Sequence, residues 1–135
     1  MASNLFVKWD DSGLVNHAII DEQHRGLIAI INSIYFFIQE GWPISDLKPT
    51  ILMLEQYVMF HLKTEQSILA SEGLPEEDMK IVQAYDAKFL AELHEQTANA
   101  IEEDKPNHLT LYLAKWWLGH KTDFHDQLAD YFNNN

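Results

Sequence analysis

There is no cysteine among the 135 residues of the chain. That absence excludes disulfides, thiolate catalysis, zinc fingers and cysteine-ligated iron–sulfur clusters together. Positive charge is scarce too: 9 Lys and Arg stand against 21 Asp and Glu, a formal net charge of −12. So acidic a chain lacks the basic face that nucleic acid requires, and anionic membrane surfaces repel it for the same reason. No apolar run approaches the roughly 20 residues of a membrane-spanning helix. The longest, over residues 34–38, is stopped by Gln39, Glu40 and Gly41. The segment 1–11 has neither the basic start nor the apolar core of a secretory signal, so the expected compartment is the cytoplasm. A glycine-rich phosphate loop is missing, and no serine has a His/Asp partner on a shared element.

What is present suffices for one packed core. Hydrophobic residues make up 47% of the chain, and its length suits a single domain over 1–135. The few helix breakers fall at useful places: Gly41-Trp42-Pro43, Gly73-Leu74-Pro75 and Lys105-Pro106-Asn107. Between them the capping signals predict helices over about 21–40, 45–71, 76–104 and 107–132, preceded by an extended arm over 1–20. Asp21 and Ser45 are the expected N-caps, and Gly41 and Gly73 the left-handed stops.

Periodicity decides the fold. His24, Ile28, Ile31, Tyr35 and Ile38 step by three and four residues in the first helix. Leu47, Ile51, Leu54, Val58, His61, Glu65 and Ile68 do so in the second. The third gives Met79, Val82, Asp86, Phe89, Leu93 and Thr97, and the fourth Leu109, Leu113, Trp116, His120, Phe124, Leu128 and Tyr131. These are the seams of an all-α, antiparallel, up-down-up-down four-helix bundle.

Five polar residues interrupt those seams: His24, His61, Glu65, Asp86 and His120. A single histidine on an apolar face is ordinarily bonded to a backbone carbonyl, and an i, i+4 His/Glu pair is ordinarily a surface pair. Here the pair shares its stripe with Leu54, Val58 and Ile68. Buried carboxylates without partners cost several kcal/mol each, whereas a cation between them and the imidazoles satisfies all of them. His125 lies about 140° round the helix from His120 and can flank an ion there, with Asp123 as its rival. His17, His94 and His108 fall off the seams. Nitrogen and oxygen donors without thiolate suit iron, manganese, zinc or cobalt, and six candidates exceed one tetrahedral zinc.

Three segments carry a family resemblance: Asp21-Glu22-Gln23-His24, His61-Leu62-Lys63-Thr64-Glu65 and Trp116-Trp117-Leu118-Gly119-His120. Together with Trp9 and Ile19-Ile20-Asp21, they resemble the hemerythrin family, and most closely its single-domain bacterial members. The resemblance implies a non-haem di-iron centre binding O2 or a related small ligand, with His24 and His61 on one iron, His120 on the other and Glu65 bridging. The family's third-helix histidines are replaced here by Val82 and Asp86 when the chains are aligned on Phe89-Leu90. Its bridging aspartate after the fourth-helix histidine is replaced by His125. Either Asp86 and His125 compensate for these exchanges, or the second iron is lost and His24, His61 and Glu65 surround one ion. Phe60, Phe89, Trp116, Trp117 and Phe124 are expected to wall the site from water. The implied role is storage, delivery or sensing rather than enzymatic turnover. The alternatives are a di-metal oxidase or peroxide-reducing bundle, and a metal-poor sensory or interaction bundle.

Overall fold

Left-handed residues divide the chain. In the computed structural model, which describes residues 6–7 and 17–120, Gly41 and Gly73 have φ of 87° and 91°. Without a Cβ they adopt this conformation at no steric cost. At each break the glycine N–H bonds three residues back (to Ile38 O and Ala70 O, both 3.1 Å). The next N–H bonds five back (Trp42 to Phe37 O, Leu74 to Leu69 O, both 3.0 Å). This paired closure satisfies the last carbonyls of each helix. The third break uses the same closure on a non-glycine residue: Asp104 has φ 53°, and Lys105 N–H donates to Ala100 O at 2.9 Å.

The elements so delimited are α1 (Ala18–Gln39), α2 (Lys48–Ser71), α3 (Glu76–Glu102) and α4 (Pro106–Gly119), with a short 3-10 turn over Ile44–Leu47 before α2. Each helix packs on the next, and α1 also packs on α4, which closes an all-α four-helix bundle. There is no strand among the described residues. None of their helices is long and apolar enough to cross a membrane.

Two boundaries differ from expectation, for physical reasons. The first helix starts at Ala18, not Asp21, because Ile20 is fully buried against Leu69 and Asp21 N–H already donates to His17 O at 2.9 Å. Asp21 therefore sits in the first turn, where its charge still complements the helix dipole. Ser45 lies inside the 3-10 turn instead of capping α2, which opens at Lys48 with Pro49 in its first turn, where the missing N–H costs nothing. Of the expected arm, residues 6–7 are described. Val7 exchanges two 2.8 Å hydrogen bonds with the Asn32 amide, and Phe6 stacks on Tyr35 at 4.2 Å. The expected end of the fourth helix, with Phe124, Leu128 and Tyr131, lies outside the described residues.

The seams point inward. Ile28, Ile31, Ile51, Leu54, Val58, Leu93, Leu109, Leu113 and Trp116 form one continuous core with Leu27 and Leu62. All five polar seam residues are buried within this frame.

Candidate metal centre

His24 projects from α1, His61 and Glu65 from successive turns of α2, and His120 from the position that follows Gly119 of α4. All four are essentially inaccessible to solvent. Glu65 Oε1 is the common point, 2.7 Å from His61 Nε2, 3.3 Å from His24 Nε2 and 3.7 Å from His120 Nε2. His24 Nε2 and His61 Nε2 are 2.8 Å apart. One donor atom from each residue lies within 4.8 Å of every other. An ion with bonds of about 2.1 Å spaces neighbouring donors roughly 3 to 3.4 Å apart, so the constellation fits a cation with little adjustment.

The protonation states suit the same purpose. Burial, reinforced by the neighbouring His61 and His120 against the opposing hydrogen bond to Glu65, lowers the His24 imidazole to about 3. It is therefore neutral throughout the physiological range. Burial alone would raise the Glu65 carboxyl. The electrostatic pull of His61, with the His120, His24 and His61 imidazoles gathered round Oε1, outweighs burial and holds the group well below the usual carboxylate range. A neutral imidazole beside an ionised carboxylate is the state in which both bind metal.

A supporting layer orients one ligand. His61 Nδ1–H donates to Gln23 Oε1 at 3.0 Å, which leaves Nε2 as the metal-facing lone pair. Gln23 is fixed in turn, since its Nε2 donates to Thr64 Oγ1 at 3.2 Å and its backbone carbonyl accepts from Tyr57 Oη at 2.8 Å. Gly26 makes room for that phenol; a Cβ at this position would overlap the Tyr57 hydroxyl. Sequence reasoning used Gln23 only as part of a motif. Its position, one residue before an inward histidine and so at the edge of the buried stripe, was the available signal.

Asp86 is buried on α3 but stands apart from the four-residue group. Its Oδ2 accepts from Gln66 Nε2 at 2.7 Å, while Oδ1 is buried with no hydrogen-bond partner among the described residues. Val82 packs instead in a small apolar cluster with Ile20 and Leu69. His125 and Asp123 lie outside the described residues. Of the other histidines, His94 is an exposed partner of Glu55 at 3.2 Å, His108 bonds Gln96 at 2.9 Å on the surface, and His17 sits at the start of α1.

The aromatic wall is partly as expected. Trp116 stacks on His120 at 5.3 Å with an interplanar angle of 5°, Trp117 meets His24 edge-on at 5.6 Å, and Phe89 lies 6.4 Å from His120. Phe60 is not part of it. One residue before His61 means about 100° round the helix, and its ring is 55% exposed. Phe124 lies outside the described residues. No protein-family model matches the chain, and no curated protein matches it.

Proposed function

We propose that the protein is a hemerythrin-like, non-haem metal protein that binds O2 or a related small ligand at an iron centre, for storage, delivery or sensing. The observation that carries this reading is the convergence of three imidazoles and one ionised carboxylate from three helices on one solvent-free point. Two further features favour a pair of irons. Among the described residues neither Glu65 Oε2 nor Asp86 Oδ1 has a hydrogen-bond partner, and unused carboxylate oxygens in a dry interior call for positive charge. Held by His24, His61, Glu65 and His120, two ferrous ions would supply the two electrons that O2 needs for reversible binding.

The chain's own residues do the rest. Gln23 holds His61 in its ligating tautomer, Glu65 keeps its charge, and Trp116 and Trp117 pack against His120 and His24 and keep water from them. A second reading, one ion per chain, is favoured by a specific observation: α3 adds no donor to the group.

The test is metal content together with oxygen response. Protein loaded anaerobically with ferrous iron, then desalted, is expected to retain close to two irons and to change its near-ultraviolet spectrum reversibly with O2. One retained iron selects the second reading. Steady O2 consumption in the presence of reductant marks an oxidase, and no retained iron refutes the metal assignment.

A further inference from the structure

We propose that the notch on α3 lined by Tyr85, Lys88, Phe89 and Glu92 is the port through which single electrons reach this centre, passing from Tyr85 through Phe89 to the His120 ring. The inference rests on the metal reading above. Spacing places the rings. Tyr85 and Phe89 are four residues apart on α3, and Trp116 and His120 four apart on the last turns of α4, so each pair shares a face. Phe89 meets Tyr85 at 4.6 Å between ring centroids and His120 at 6.4 Å, edge to face in both cases. The exposed Tyr85 ring is thus no more than 11.0 Å from the ring of a ligand. Phe89 also touches Trp116 at 6.2 Å, and Trp116 stacks on His120 at 5.3 Å, a second branch to the same ligand. All of these are contact separations for aromatic rings.

Solvent access gives this run of rings its direction. Trp117, the ring against His24, and Trp116 are both buried. Tyr85 is 38% exposed, and Lys88 and Glu92 beside it are exposed as well. The four ligands are out of contact with solvent, so an electron reaches them only by tunnelling through protein. Tunnelling weakens exponentially with the gap, and rings in contact keep each gap short. The notch measures about 190 Å3 and offers two rings, one cation and one carboxylate, which suits the edge of an aromatic molecule. The net charge of −12 repels anions, so the carrier that fits is an aromatic one-electron donor that is uncharged or cationic. The carrier loses one electron, a ferric ion gains it and becomes ferrous, and no bond or proton moves. The port thereby returns an oxidised centre to the ferrous state that binds O2.

The experiment uses the full chain loaded with iron, whose content is measured first, and then oxidised. The chain has no cysteine, so Lys88→Cys fixes a tris-bipyridine ruthenium complex, a cationic aromatic carrier, at the notch alone. Glu40→Cys fixes the same complex at an exposed position about 24 Å along α1 from His24. A flash in the presence of a sacrificial donor reduces the complex, and loss of the ferric absorption times the arrival of its electron. Reduction from position 88 is expected to be at least a hundredfold faster than from position 40. Phe89→Leu is expected to slow reduction from position 88 at least tenfold and to leave that from position 40 within twofold. Tyr85→Leu, a surface change, is expected to slow position 88 alone in the same way, and it carries the test if Phe89→Leu does not fold. Equal rates from the two positions overturn the port. A parent-like rate from position 88 in either variant overturns the ring route, and so does equal slowing from both positions, which marks a changed centre. A parent protein that retains no iron refutes the metal reading itself, and this inference with it.

Discussion

In the metal-free protein two buried groups respond to acid in opposite directions, and separating them tests the electrostatics of the centre. His24 titrates at about 3 in the fold, chiefly through burial, against 6.5 for an ordinary imidazole. The unfolded chain therefore binds the extra proton, and stability falls as pH drops below 6.5. At 1.36 kcal/mol per pH unit, the loss between 6.5 and 5 is about 2 kcal/mol. Asp86 is raised by burial from 3.8 to about 6, so here the folded state binds the proton. Acidification from 6 to 5 returns roughly 1 kcal/mol, allowing for solvent screening. Glu65 is held below the usual range and stays ionised throughout. The parent protein is expected to lose about 1 kcal/mol between pH 7 and pH 5. Asp86→Asn, with the offset removed, loses about 2 kcal/mol, and His24→Gln gains about 1 kcal/mol. Urea unfolding in chelator at both pH values measures all three. The reasoning fails if Asp86→Asn shows the parent's pH response, or if His24→Gln still loses stability on acidification.

Other perturbations address the centre and the scaffold separately. Glu65→Ala removes the atom shared by three imidazoles and is expected to abolish stoichiometric metal binding, whereas His94→Ala, altering an exposed surface pair, leaves it intact; metal analysis after desalting decides. Gln23→Leu frees the His61 ring, and its metal affinity is expected to fall 10- to 100-fold in a competitive chelator titration, the usual effect of losing a hydrogen bond behind a ligand. Asp104→Gly places the permissive residue at φ 53°. Relief of the left-handed cost, less the added freedom of the unfolded chain, is expected to stabilise the protein by about 0.5 kcal/mol, seen as a rise of roughly 2 °C in Tm.

The helical architecture was legible because it depends on spacing. Ile51, Leu54, Val58 and His61 fall on one face in any α-helix, and the burial of five charged or imidazole groups on the same lines as leucines follows from their positions alone. Gly41 and Gly73 marked their helix ends through backbone sterics that are local to one residue. The remaining features depend on tertiary neighbours. Burial of Ile20 against Leu69 extends α1 past the capping signal at Asp21, a contact between residues 49 positions apart in the chain. Gln23 and Gln66 acquire their roles only because a histidine and an aspartate face them from another helix. Asp86 shared the seam with the cluster, yet its short side chain turns to Gln66. Seam membership fixes the face of a helix, and side-chain length and local partners fix what the residue reaches.

Charge sets the terms on which ions enter this interior. With Glu65 ionised and imidazole nitrogens as the other donors, one divalent ion would carry a first-sphere charge of +2 − 1 = +1. Such a residue of charge in a dry core is unfavourable until another anionic group approaches it. Asp86, which senses both Glu65 and His120, is one such group. A second divalent ion would add two further positive charges, and the described residues offer it only Glu65 Oε2 and Asp86 Oδ1 as unused carboxylate oxygens.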